Sequence, residues 1–320
     1  MPSPLEVLVD LLDLESIEVN IFRGISPDDT RQRVFGGQVA AQALVAAGRT
    51  VDSGRVHSLH SYFLRPGDPT APILYQVDRI RDGRSFTTRR VVAIQHGRAI
   101  FNLETSFHVA EEGLVHQEAM PQAPPPDSIP TVRERLAPFE DQLSEFFKRP
   151  NPIDQRFVGE LPWLRRGGSR EPRQQLWMRA DGVLPDDPLL HAAVVTYASD
   201  MTLFDSILHP HEIAWADELF MGASLDHCMW FHRDLRADDW LLFDQVSPTA
   251  SGARGLARGT IFSSDGRLVV SVVQEGLVRL LEGHGRNADA SGAPADPADA
   301  PERARAAVPV TAGVEEHLLS

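Results

Sequence analysis

Two segments of this chain carry the same pattern, a helix followed by four strand-like runs, and that duplication limits the fold more than any other feature. The first starts with a helix of small residues over 36–50 (GGQVAAQALVAAGRT). It continues through VHSLHSYFLRPG, ILYQVDRIRDG, RSFTTRRVVAIQHG and RAIFNLETSFHV. The second starts with a helix from about Asp187 to His209 and continues through GASLDHCMWFH, WLLFDQVSPTASG, ARGLARGTIFSSDG and RLVVSVVQEGLVRL. Turn signals at Asp82-Gly83, Gly97 and Asp265-Gly266 fall at matching places. Ser58-Leu59 answers to Ser224-Leu225 at an offset of 166 residues, and Gly97-Arg98 to Gly266-Arg267 at 169. Long antiparallel strands after a single helix predict an α+β chain in which a sheet wraps a helix, twice. Gly36, Gly37, Ala40, Ala41, Ala43, Ala46 and Ala47 would let a curved sheet approach the first helix from several sides. A surface helix would carry more charge.

The repeat sets the expected boundaries: a first domain over 1–112, a Pro-rich linker with a short helix over 113–150, and a second domain over 151–282. Residues 283–320, rich in Ala, Pro, Asp and Gly without an apolar period, are expected to be a disordered tail. A formal net charge of −14, from 31 basic and 45 acidic residues, repels phosphate polyanions and excludes general nucleic-acid binding. No apolar run reaches the roughly 18 residues of a membrane span, so no integral membrane association is expected. The N-terminus lacks the basic start of a secretory signal, and HLLS is no peroxisomal address. Cys228 is the single cysteine, which excludes a disulfide framework or a multi-cysteine zinc site within one chain. These features predict a cytoplasmic protein with no metal.

Three polar residues interrupt apolar surroundings in the second block. Asp200 lies at the edge of the stripe Leu190, Val194, Tyr197, Met201, Phe204 and Leu208. A carboxylate there must be paired, hydrogen-bonded or protonated, because burying it alone costs several kcal/mol or more. Gln274 breaks the run LVVSVVQEGLV, and Ser224 opens the strand ASLDHCMWFH. Such a trio has no strong nucleophile and suits the holding of one water, whose proton the carboxylate takes. A structural role for the buried acid is the competing reading. Asp226, His227 and Cys228 are neighbours on a strand and cannot form a triad with one another. Alternation leaves Asp226 on the face of Ser224, a rival for the buried acid unless a bulge intervenes. Arginines 65, 79, 81, 84, 89, 90 and 98 crowd the first block and are the best candidates to grip phosphates. Gly36-Gly37 fits no phosphate-loop fingerprint, but free N–H groups at a helix start can meet an anionic oxygen.

VFGGQVAAQAL, HSLHSYFLRPGD, DGRSFTTRRVVAIQ, YASDMTLF, ASLDHCMWFHR and VVQEGLVR, taken in this order, resemble the signature segments of the acyl-CoA thioesterase II family. The resemblance runs from roughly Leu5 to Leu281. It implies a double hotdog, in which two helix-wrapped, mostly antiparallel sheets occur in one chain, and hydrolysis of medium- to long-chain acyl-CoA without a cofactor. It also implies that Asp200, Ser224 and Gln274 form the catalytic trio. Gly37 is the candidate oxyanion donor, and Arg84 and Ser85 the candidate contacts to substrate. A homodimer or homotetramer is expected, because hotdog sheets commonly extend edge to edge. Two alternatives stand beside this one. A double-hotdog enoyl-CoA hydratase would set a His about five residues from the Asp, where this chain has Asp205. A non-catalytic acyl-CoA-binding or sensor protein would bind without turnover.

Overall fold

The computed structural model describes residues 2–27, 33–142, 151–162, 171–211, 213 and 220–281; the expected tail over 283–320 lies outside them. Thirteen strands form one sheet: β1 Glu15–Glu18, β2 Ile21–Gly24, β3 Arg55–Phe63, β4 Ile73–Asp82, β5 Phe86–Gln95, β6 Arg98–His108, β7 Ile153–Val158, β8 Arg173–Ala180, β9 Phe220–Ser224, β10 Asp226–Phe231, β11 Leu241–Ser251, β12 Arg254–Ser263 and β13 Leu268–Leu280. Their order is β1-β2-β4-β5-β6-β3-β10-β13-β12-β11-β8-β7, with β9 paired to β13. This order is a palindrome about the β3–β10 pair, so the two repeats are related by an approximate two-fold axis. All of the pairs are antiparallel. Each repeat also opens with a hairpin, β1–β2 or β7–β8, that precedes its helix and enlarges the helix-plus-four-strand unit read from sequence.

Two helices lie inside the curve of this sheet. Helix α2, Gly36–Gly48, is buried from Gly37 to Ala47, and the helix Pro188–Ser199 is buried from His191 to Ser199. Shorter helices are α1 (Pro4–Leu12) and α3 (Val132–Leu136), which make the second long helix α4, with α5 at Asp205–Leu208. Side chains end most of them in the usual way. Ser3 and Glu6 form a capping box on α1, and Asp187 accepts from the Leu189 N–H at the start of α4, where Pro188 needs no partner. Helix α2 differs: Phe35 stands at its N-cap position and supplies no side-chain bond. The first-turn N–H groups are therefore left to serve something else.

The expected helix from Asp187 to His209 is not continuous. It ends at Ser199, Asp200 forms the C-cap, and the chain turns before α5. The apolar period runs on through Met201, Phe204 and Leu208, but those side chains fill the core from a turn, a short helix and its flank. Between the repeats, the Pro-rich segment lies along the second half. Trp177 Nε1 donates to the Pro124 carbonyl at 2.8 Å, Gln117 Nε2 to the Gly266 carbonyl at 2.8 Å, and Ile129 packs with Trp177, Leu242 and Phe262. This is the double hotdog that the sequence resemblance implies. Among the described residues, no helix is long and apolar enough to cross a membrane.

Candidate active site

The antiparallel packing of α2 on α4 brings the start of one helix to the end of the other. A Cβ on Gly37 would lie 2.6 Å from the Tyr197 carbonyl oxygen, and one on Gly36 would lie 2.8 Å from Asp200 Oδ2 and from the Phe63 ring. Only glycines permit this approach. The Gly37 N–H donates to the Asp200 carboxylate, so the positive end of α2 faces a negative group.

Gln274 closes the site from β13. Its Nε2 donates to Asp200 Oδ1 at 2.7 Å and to Ser224 Oγ at 2.7 Å, which spends both amide protons. Gln274 is fully buried, whereas Asp200 and Ser224 keep part of their surface open. Burial pushes the Asp200 carboxyl from 3.8 up to about 6, against the opposing pull of Gln274, Gly37 and Ser224. No charged group takes part in that shift. The arrangement is a carboxylate poised near neutrality, with a hydroxyl beside it and solvent access to both.

Ser224 and Gln274 share a face because of a bulge. Ser224 pairs with Gly276, and Cys228 pairs with Val273, so four steps along one strand match three along the other. The extra residue lies at Leu225, between β9 and β10. Its N–H donates to the Glu275 carbonyl and its carbonyl accepts from the Phe63 N–H, both at 2.9 Å. The Glu275 N–H is taken by Asp226 Oδ1 at 2.6 Å. Simple alternation would have placed Asp226 beside Ser224; the bulge turns it to the opposite face and brings His227 round instead. Asp226 thus secures the bulge and is no rival to Asp200. His227 is the residue that sequence reasoning missed. Strand alternation sets it among neighbours that cannot form a triad, and nothing in the sequence marks the bulge.

The remaining candidates divide. Gly37 stands at the site, but its N–H is directed at Asp200 rather than left free. Arg84 and Ser85 are not brought to the trio. They sit in the β4–β5 turn, where Ser85 Oγ donates to Glu111 and Phe86 pairs with His108. That is the Arg55 end of β3, whereas Asp226 pairs with Tyr62 at its other end. Nine residues of strand separate the two ends by about 25 Å. The arginines of the first block do not form one cluster either. Arg89 is buried and donates to Thr50 Oγ1, the Thr50 carbonyl and Asp82, while Arg90 pairs with Asp78 and Arg79 donates to Asn20.

A carboxyl and a hydroxyl joined by one amide, inside a double hotdog, make up the candidate site, and comparison with known proteins gives the family. The family model described as acyl-CoA thioesterase matches residues 148–277, and that of the acyl-CoA thioesterase N-terminal domain matches 26–108. The chain is 38% identical over 294 residues to acyl-coenzyme A thioesterase 8 of Homo sapiens, spanning 86% of this chain and 89% of that protein. It is also 38% identical over 292 residues to acyl-CoA thioesterase 2 of Haemophilus influenzae, spanning 88% of this chain and 100% of the relative. Among solved structures, an acyl-CoA thioesterase II, TesB2, from Mycobacterium marinum aligns with a TM-score of 0.72 at 46% identity, over 87% of this chain and 100% of that one. The chain belongs to the acyl-CoA thioesterase family.

Proposed function

We propose that this protein is an acyl-CoA thioesterase that releases a free fatty acid and CoA by direct attack of a water activated at Asp200. The observation that carries this reading is the Gln274 amide spanning Asp200 and Ser224 at 2.7 Å each, around a carboxyl whose pKa lies at about 6. Near neutral pH the carboxylate is the predominant form and can take a proton. A water against Asp200 and Ser224 gives that proton to the carboxylate as its oxygen bonds to the thioester carbon. The charge that builds on the carbonyl oxygen is met by the positive end of α2. Collapse of the tetrahedral intermediate breaks the C–S bond, and the thiolate recovers the proton from Asp200. No cofactor takes part.

An unactivated serine is a poor nucleophile. The histidine nearest the site, His227, bonds to Ser199 rather than to Ser224, which supports water over an acylated Ser224. Medium- to long-chain acyl groups suit the aromatic side chains packed around the site, Phe35, Phe63, Tyr197 and Phe204. The protein acts in the cytoplasm as a homodimer or homotetramer, which light scattering coupled to gel filtration tests. For the chemistry, thiol release from acyl-CoAs of rising length should fall by roughly two to four orders of magnitude in Asp200→Asn, the usual range for a general base. Hydrolysis in heavy-oxygen water should label the acid with no acyl adduct on the enzyme. A stable adduct on Ser224 would overturn direct attack. Acyl-CoA binding without turnover by the wild type would favour the sensor reading.

A further inference from the structure

We infer that His227 is a positioning residue, whose Nδ1–H holds the Gln274 carbonyl and so turns both amide N–H groups toward Asp200 and Ser224. The inference rests on the reading of Asp200, Ser224 and Gln274 as the site. An amide has two ends of nearly equal shape, and Gln274 is useful only one way round. Flipped, it would set its oxygen against the Asp200 carboxylate.

Four observations point to His227. The β10–β13 register that pairs Cys228 with Val273, continued by one residue, sets His227 opposite Gln274 on the same face. Gln274 Oε1 and His227 Nδ1 are both buried, and neither has a hydrogen bond of full geometry to any group, the other included. The Gln274 side chain nevertheless lies close enough to favour a proton on the imidazole, as an acceptor oxygen does. On the far side of the ring, His227 Nε2 lies 2.9 Å from Ser199 Oγ.

The imidazole is fully buried, and burial pushes its pKa from 6.5 down to about 4, so at neutral pH it carries one proton. With that proton on Nδ1, one chain of bonds satisfies the site. The Ser199 hydroxyl donates to Nε2, Nδ1–H donates to Gln274 Oε1, and the amide donates to Asp200 and Ser224. With the proton on Nε2, the bare Nδ1 faces the bare carbonyl oxygen, and two buried acceptors repel. The Ser199 hydroxyl has a second acceptor, the Thr196 carbonyl at 3.0 Å, so the ring tautomer and the hydroxyl rotor are set together. Met229 lies 3.6 Å from Ser199 Oγ, Ser61 Oγ donates to the His227 carbonyl, and the charge reached along this chain of bonds is the Asp200 carboxylate, across the Gln274 amide.

Long-range proton–nitrogen spectra of the wild-type protein with nitrogen-15 histidine test this directly, the His227 signals being those missing from His227→Asn. The neutral Nδ1–H tautomer should be seen at pH 7 and persist to about pH 5. An Nε2–H tautomer, or a charged ring at pH 7, would overturn the inference. In kinetics, His227→Leu should lower kcat at least tenfold with little change in KM and move the acid limb of the kcat profile to higher pH. His227→Asn, whose amide nitrogen reaches the place of Nδ1, should recover most of the rate. A Leu variant with the wild-type rate and acid limb would also overturn it. Full activity in Asp200→Asn, by contrast, would remove the catalytic reading while leaving the tautomer result intact.

Discussion

Asp200→Asn should make the protein more stable above neutral pH as it makes it less active, and the structure sets the size of that exchange. The carboxyl titrates at 3.8 when free and at about 6 in the fold. A raised folded pKa means that the native state binds the proton more tightly than the unfolded chain does. Stability from this group therefore falls as pH rises from about 4 to about 6, and stays lowered beyond. Roughly two pKa units at about 1.4 kcal/mol each give about 3 kcal/mol of destabilisation at pH 8, relative to a group that never ionises. Burial dominates the shift, and the bonds from Gln274 and Gly37 only reduce it. Asparagine loses one of those acceptors and turns an amide nitrogen toward Gly37, which offsets part of the gain by a constant amount. The dependence on pH is free of that constant. Urea unfolding at pH 5 and pH 8 should show the stability of Asp200→Asn relative to wild type growing by about 1.5 kcal/mol between them. A difference that stays flat, or that shrinks toward pH 8, would mean that Asp200 is not held near pH 6 in the native state.

The acid limb of wild-type kcat/KM should have its midpoint near pH 6, read from thiol release across pH 4.5 to 8. Ser224→Ala and Gln274→Ala should each cost less than Asp200→Asn, and their double variants should be less than additive, because all three hold one water. Gly37→Ala forces a Cβ against the Tyr197 carbonyl and should lower both activity and stability, by about 1–3 kcal/mol in chemical unfolding. Arg84→Ala should leave KM unchanged, whereas Arg65, exposed two residues past Phe63, should raise KM severalfold when changed to Ala, in a salt-dependent way. Truncation after Glu282 should leave melting temperature and activity as they are.

The strands of each repeat after its helix were legible because their apolar alternation is regular and their turns carry Gly. The hairpins β1–β2 and β7–β8 were not. In β7 and β8 the inward positions include Gln155 and Gln174, both nearly buried, and polar residues there erase the period-two signal. Their amide nitrogens find partners on other elements: Gln155 Nε2 reaches Met201 Sδ at 3.9 Å, and Gln174 donates to Gln245, which donates to Thr202. The break of α4 at Asp200 was hidden by an apolar spacing that continues across it. The trio itself showed in sequence as polar residues in apolar runs, and the roles proposed for it come from the family resemblance. The placement of His227 on the face of Gln274 was illegible, since a bulge of one residue decides which side chains share a face and leaves no mark in composition.

The palindromic sheet means that the corner where α2 begins and α4 ends has a counterpart, where α4 begins and α2 ends. Two separate identical subunits would have to build both corners alike. A fused chain is free to let them diverge, and this one has. Where one corner has Gly36 and Gly37, the other has Pro188, with no N–H to offer, and Leu189, whose side chain presses on Gly48. The repeat offset of 169 that carries Gly97 to Gly266 carries Thr105 to Gln274, and Thr105 only ties down the Ser58 carbonyl at 2.9 Å. Arg89 fills the rest, clamping the end of α2 to the sheet through Thr50 and Asp82. One corner has become a rivet and the other keeps a carboxylate that would be more stable elsewhere. Duplication within a single chain lets the first hold together what the second strains.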